Sequence, residues 1–343
     1  MGTLHRVSSS IASGAKAIAG ARRPAEGNGH LSDDGGLILD PAAIETRVSA
    51  WEAVKLAREV KRPHGLDVIE RVFDGFQELH GDRAFRDDPA IVGGIAELDG
   101  RCVIVVAQQK GASTEENIER NFGMPHPEGY RKAIRLYRLA EKFRLPLVTL
   151  IDTPGAYPGP EAEERGQAEA IASSIRAMTG LSTPIVVIVL GEGGSGGALA
   201  LGVGDVVLAM QNALYSVISP EGCAAILWRS ATEAERAAKA LRLAAPDLLE
   251  LGIVDGLIPE PEGGAHTDHE ATAAAIGQAL RVELDRLGRV AVADLVAARY
   301  ERFRSMGLVI EPGPDAVPPP KPAWWRRLPL AARLRRERAP EAE

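Results

Sequence analysis

Ile185-Val186-Val187-Ile188-Val189-Leu190-Gly191-Glu192-Gly193-Gly194-Ser195-Gly196-Gly197-Ala198-Leu199-Ala200 is the stretch on which the fold turns. Its first six residues are apolar and mostly β-branched, the composition of a strand covered on both faces. Five glycines among the next seven residues, Gly191 to Gly197, let the backbone turn sharply and let another molecule come close to it. The small residues after Gly197 begin a helix, so unpaired N–H groups and a positive dipole end face out of the turn. A turn of this kind can hold an oxyanion, a phosphate or a nucleophile, or serve only tight helix–strand packing.

Outward from this stretch, strands and helices alternate. Cys102–Gln108 and Leu147–Ile151 read as further strands, Glu128–Phe143 and Glu161–Met178 as helices, and Val206–Met210 and Leu214–Ile218 as apolar segments beyond the turn. Helical spacing also predicts helices over Pro41–Val60 and over Leu66–His80, the latter from Leu66, Ile69, Val72, Phe73, Phe76 and Leu79. Ser219-Pro220-Glu221 starts a helix with a capping residue before proline. Thr232 with Glu235 and Thr267 with Glu270 match the capping box, and Gly288 and Gly307 stand where C-terminal caps belong. Alternation of this sort means an α/β domain with internally repeated units.

The flanks differ in composition. Residues 1–36 are rich in Gly, Ala and Ser, and Met1–Ala25 carries Arg6, Lys16, Arg22 and Arg23 without an acid. Both an organellar transit peptide and a disordered tail fit that pattern. After Gly313, Pro318-Pro319-Pro320 and Trp324-Trp325-Arg326-Arg327 open a Pro/Trp/Arg-rich tail, suited to a membrane surface, an acidic partner or plain solvation. The expected organisation is a disordered tail over 1–40, one domain over 41–310 and a disordered tail over 311–343.

The totals are those of a soluble globular protein, with 45% hydrophobic and 25% charged residues in 343. A net charge of −7 argues against nucleic acid as the main ligand. The two cysteines, Cys102 and Cys223, lie in apolar stretches, fit a reducing compartment and exclude a four-cysteine zinc site within this chain. No apolar run reaches the roughly 18–20 residues of a membrane span.

Several motifs compete for the turn. Gly193-Gly194-Ser195-Gly196-Gly197 matches the G-x-S-x-G nucleophile elbow, with Asp255 and His266 following in hydrolase order, but both of these sit in Gly-rich turns without an evident strand. Asp152-Thr153-Pro154-Gly155 has the DxxG form of a GTPase switch, yet no P-loop accompanies it. A dinucleotide fingerprint lacks its acidic residue, and no His/Cys cluster has metal-ligand spacing. The remaining use is an oxyanion hole, in which adjacent N–H groups converge on an oxygen gaining charge, each donor worth about 3–4 kcal/mol in rate.

Longer motifs go further. Gly81-Asp82-Arg83-Ala84, Ile91–Ala96, Asn121-Phe122-Gly123-Met124, Pro127–Ala133, Ile151–Gly159, Glu163–Gln167, Gly191–Ala200 and Tyr215–Cys223 together resemble the carboxyltransferase α subunits of bacterial and plastid acetyl-CoA carboxylase. The resemblance runs from about Trp51 to Leu287 and more loosely to Gly307. It implies a crotonase-like α/β spiral of ββα units with peripheral helices. It implies carboxyl transfer from carboxybiotin, carried on the biotin carboxyl carrier protein, to acetyl-CoA, giving malonyl-CoA in the first committed step of fatty acid synthesis. The implied partners are a β subunit in an α2β2 assembly, the carrier protein and biotin carboxylase. Any zinc ribbon would lie in the β chain, and the implied compartment is the cytoplasm or, for a plastid form, the plastid.

In residues, the resemblance implies that the N–H groups of Gly196 and Gly197 hold the biotin ureido oxygen. Gly155, Ala156, Gly193 and Gly194 would line the same cleft, and Lys110, Arg131 and Lys132 are candidates for biotin-side or CoA-phosphate contacts. Ser195 then needs no catalytic role, and Gly197→Val is expected to obstruct biotin while sparing assembly. The chain departs from the family in carrying Gln108 where a histidine is usual, in a rewritten segment before Trp51 and in the tail from Pro314. A carboxyltransferase for another acyl-CoA, a non-catalytic scaffold and a serine hydrolase remain the rivals.

Overall fold

In the computed structural model, residues 36–44 and 47–307 are described. The mixed sheet has eight strands: β1 (Asp74–Glu78), β2 (Ile91–Leu98), β3 (Arg101–Gln108), β4 (Leu147–Thr153), β5 (Ile185–Gly194), β6 (Val206–Met210), β7 (Leu214–Ser216) and β8 (Gly256–Ile258). Their order is β1-β2-β3-β4-β5-β6-β8, and β7 pairs with β5 off this path. The first three strands are antiparallel, and from β3 to β8 the pairing is parallel. Asp99 and Gly100, both at positive φ, form the two-residue turn between β2 and β3. All seven residues of β4 are buried, as the apolar run with helices on the sheet demands.

β5 is longer than its apolar run. Val186–Val189 pairs with β6, whereas Glu192–Gly194 pairs with Leu214–Ser216 of β7. One strand therefore serves two neighbours on the same side at different heights, and the glycine turn sits at its far end. The helix that follows, Ser195–Leu199, is only five residues long and begins before Gly197, three residues earlier than its composition suggests.

Helices Pro127–Phe143 and Gln167–Gly180 pack on each other, and Gly65–Val72 packs against His269–Leu287. The first of these matches its sequence expectation to one residue. The expected helix Glu161–Met178 is two helices, Pro160–Glu164 and Gln167–Gly180, because Gly166 between them adopts φ 81°.

Other expectations need correction. The helix foreseen over Leu66–His80 ends at Val72, Phe73 is extended, and Asp74–Glu78 pairs antiparallel with β2. Gly75, at φ 60°, lies where the register shifts. A bulge there disturbs the alternation of Phe73, Phe76 and Leu79, which leaves them at a spacing that imitates a helix. Over Pro41–Val60 the chain forms a 3-10 turn, Pro41–Ala43, and a helix, Ala50–Ala57. The domain also begins before position 41, since Ile38 and Leu257 exchange backbone hydrogen bonds at the β8 edge. Neither capping box forms: Ser230 caps the turn near Thr232, and Asp268, not Thr267, accepts from the Ala271 N–H. Ser219 does cap Pro220–Trp228. The two expected tails, apart from residues 36–40, lie outside the described residues.

Candidate functional site

The ends of β4 and β5 come together at the glycine turn. After a break in the ladder beyond Ile151, Thr153 pairs with Gly193. The Thr153 hydroxyl then donates to the Gly155 carbonyl at 2.7 Å and accepts from the Gly155 N–H at 3.0 Å, folding Pro154-Gly155-Ala156 back on itself. That loop lies in backbone contact with the turn. A Cβ on Gly194 would stand 2.1 Å from the Pro154 carbonyl oxygen, and one on Gly197 would stand 2.5 Å from the Ala156 nitrogen. Gly196 differs: a Cβ there would meet only Ile171, at 3.6 Å.

Gly155, Ala156, Ser195, Gly196, Gly197 and Ile171 line a cavity of about 340 Å³, completed by Pro154 and Val217–Ser219. Ser195, Gly196 and Gly197 form the first turn of the short helix, so their N–H groups have no intrahelical acceptor. No residue described as lining the cavity has a titratable side chain, Ser195 being the one hydroxyl beside Ser219. Backbone donors are therefore what this cavity offers, and they neither titrate nor rearrange as charge develops on a bound oxygen.

Gly193, Gly194, Gly155, Ala156, Gly196 and Gly197 are thus brought together. The three cations are placed otherwise. The Lys110 ammonium lies 2.8 Å from both Asp152 Oδ1 and Glu192 Oε2, with 13% of its side chain exposed. Burial opposes its charge, but the two carboxylates outweigh burial and raise its pKa. Lys132 has a fully buried side chain whose ammonium meets Asp87 Oδ1 at 2.6 Å and the Asp88 carbonyl at 3.0 Å, leaving no surface from which to reach a phosphate. Arg131 holds Asp82 at 2.8 Å and the Arg165 carbonyl at 3.2 Å. All three cations are paired with the protein's own acids.

Around Lys110 is a network that sequence reasoning missed. Asp152 accepts from the Glu192 N–H through Oδ1 and contacts His64 Nδ1 at 3.0 Å through Oδ2. Burial works against its ionisation, yet Lys110 and His64 outweigh burial and hold the carboxyl well below the ordinary range. Arg58 then bridges Glu192 and Glu221, each at 2.7 Å. Two local signals existed: Asp152 ends a buried apolar strand, and Glu192 is the lone acid in a glycine run. Nearby, Asp88 accepts from the Ala90 and His126 N–H groups, and its burial pushes its pKa up to about 6 despite them.

Among the described residues the hydrolase arrangement does not form. Asp255 directly precedes β8, contrary to the expected turn without a strand, and its carboxylate pairs with Arg302 at 3.0 Å. Ser195 is exposed at φ 52°, a strained conformation shared with true nucleophile elbows, but no imidazole bonds to it among the described residues. Gly197→Val also reads differently, because its side chain would meet the Gly155–Ala156 backbone before meeting any ligand.

The fold and a backbone-lined turn define a class first. The chain superposes on the 12S component of transcarboxylase, a structure with methylmalonyl-coenzyme A and methylmalonic acid bound (TM-score 0.51, 23% identity, 74% of this chain and 46% of that one). It also superposes on the β subunit of geranyl-CoA carboxylase from P. aeruginosa (TM-score 0.52, 19% identity, 71% of this chain and 46% of that one). At these identities the likeness is one of fold, the crotonase-like α/β fold of carboxyltransferases, and this chain spans just under half of either solved subunit.

Sequence relatives narrow the class. The model of the acetyl co-enzyme A carboxylase carboxyltransferase-like family matches residues 41–307. Identity is 56% over 270 residues with acetyl-coenzyme A carboxylase carboxyl transferase subunit alpha of Methylococcus capsulatus, covering 79% of this chain and 84% of that protein. With the subunit of the same name from Thermus thermophilus it is 58% over 265 residues, covering 77% and 85%. The chain belongs to the acetyl-CoA carboxylase carboxyltransferase-like family.

Proposed function

We propose that this chain is the α half of an acetyl-CoA carboxylase carboxyltransferase, contributing the biotin side of a site completed by a β subunit in an α2β2 assembly. The carrying observation is the cavity at Gly196 and Gly197, lined by backbone donors and by no titratable side chain. Carboxybiotin, delivered on a carrier protein that biotin carboxylase has charged, supplies the carboxyl group and afterwards a basic ureido nitrogen.

On this reading the Gly196 and Gly197 N–H groups receive the ureido oxygen as it gains negative charge. Gly193 and Gly194 carry the turn, and the Gly155–Ala156 loop closes one wall. The absence of a base among the lining residues then agrees with a reaction whose base comes with the substrate. Acetyl-CoA and malonyl-CoA would bind chiefly to the β subunit. Lys110, Arg131 and Lys132 act on this side by anchoring acids of the scaffold. The cytoplasm is the compartment that suits such a partner set.

The test is carboxyl transfer from malonyl-CoA to a free biotin derivative, with this chain by itself and co-purified with the β subunit of the same organism. Transfer only in the mixture supports the half-site. Activity of the chain by itself, or assembly that transfers carboxyl from a different acyl-CoA only, would overturn the reading. Gly196→Val, whose side chain enters the cavity, should lower transfer by at least ~100-fold, the scale of a lost oxyanion donor, with assembly intact.

A further inference from the structure

Gln108, the last residue of β3, is fully buried, and its side-chain amide donates to the Gly197 carbonyl at 2.8 Å. A carbonyl only accepts, so the amide nitrogen is the atom that faces it. The short helix makes no use of this carbonyl. The Ala200 N–H returns to the Gly196 carbonyl and the Leu201 N–H to that of Ala198, which passes over Gly197. Without Gln108 the Gly197 oxygen would be a buried acceptor lacking a donor.

The amide's own oxygen shows what sets its position. Gln108 Oε1 is buried with no hydrogen-bond partner among the described residues, as is the nearby Tyr130 hydroxyl, 3.0 Å from the space a Gly197 side chain would take. An amide free to satisfy itself would not leave its oxygen bare. Its orientation follows the Gly197 bond. Gly197 has no side chain of its own to restrict its torsions and lies in a helix of only five residues, so a tether on its carbonyl adds to that helix in fixing which way its peptide groups point.

We propose that Gln108 is a positioning residue for carboxyl transfer: by tethering the Gly197 carbonyl across from β3, it keeps the Gly197 N–H aimed into the cavity. This rests on the reading of Gly196 and Gly197 as the oxyanion donors, so the experiment separates the two ideas. The assembled enzyme is assayed as wild type, Gln108→Leu, Gln108→His and Gly196→Val, with kcat and KM measured for a biotin derivative and for malonyl-CoA. Leucine keeps the volume and loses the donor, whereas the imidazole N–H keeps a donor.

Gln108→Leu should lower kcat by ~10- to 100-fold, the cost of a misplaced rather than deleted group, and leave the KM for malonyl-CoA within about two-fold. Gln108→His should recover kcat to within about three-fold of wild type. A leucine variant with wild-type kcat, or one altered only in KM, would overturn the proposal while an inactive Gly196→Val leaves the oxyanion reading standing. If Gly196→Val itself transfers normally, that reading fails, and with it the proposal. Should the leucine variant not assemble, the histidine variant decides: near-normal kcat supports the tether, and a loss as deep as that of Gly196→Val refutes it.

Discussion

Two regions meet at the end of β5 and are built on opposite principles. Gly193–Gly197 presents backbone groups to a cavity whose lining holds no titratable side chain. One residue earlier, Glu192 enters a network of side chains with Lys110, Asp152 and Arg58, all paired within 3.0 Å. The turn needs donors whose strength does not vary with pH, and amides meet that need. The network needs charges that stay charged under burial, and mutual pairing meets that need. Charge holds the scaffold here, and the uncharged turn faces the cavity.

The comparison can be broken most severely at Lys110. Lys110→Met would leave Asp152 and Glu192 close together and without their shared cation, and should destabilise the fold by about 3–5 kcal/mol, read by thermal or denaturant unfolding. A loss below about 1 kcal/mol would show that the network is dispensable.

The two glycines sharpen it next. Gly197→Val should lower stability by about 1–3 kcal/mol as well as transfer, because it overpacks against Ala156. Gly196→Val should lower transfer with an unchanged melting temperature; equal melting losses in both variants would erase the distinction. Ser195→Ala should change transfer by less than about three-fold, since the proposed site works through main-chain donors and not through this hydroxyl. Abolished activity would restore the nucleophile reading.

A pH-dependent prediction concerns Asp88, whose folded pKa is raised to about 6. A carboxyl raised on folding contributes stability that is complete below its unfolded pKa and fades as pH rises through the folded value. Between about pH 4 and pH 7 that contribution should decline, by at most about 3 kcal/mol for a shift of this size. Asp88→Asn should flatten the stability profile in that window, and an unaltered slope would show that Asp88 does not titrate there. Asp152, depressed on folding, works the other way: its contribution holds above the ordinary carboxylate pKa and is lost only in stronger acid.

What could be read beforehand follows from range along the chain. The strands β3, β4 and β5 and the turn declare themselves because burial on two faces leaves a continuous apolar run, and a sharp bend leaves glycines. β1 did not, since the irregularity at Gly75 removes the two-residue period. The short helix after the turn was foreseen but not its early start, which depends on Ser195 accepting positive φ. The network as a whole was not legible because the connection holding Arg58 and His64, and the segments holding Lys110, Asp152 and Glu192, lie far apart along the chain and meet only in the folded protein. Gln108 stood out as a departure from its family, yet its tie to Gly197 spans 89 positions. The resemblance offers Lys110, Arg131 and Lys132 only as candidates for ligand contact, and what the sequence does not reveal is how closely each is paired with the protein's own acids.

Arg58 caps the C-terminal end of helix Ala50–Ala57 and at the same time grips Glu192, two residues before Gly194, and Glu221, at the start of Pro220–Trp228. The N-terminal helix is thus latched to the strand that carries the turn. Coupling through this latch is expected to slow amide exchange in Ala50–Ala57 when the cleft fills, even though no residue of the helix lines it; unchanged exchange would show that the latch does not transmit occupancy.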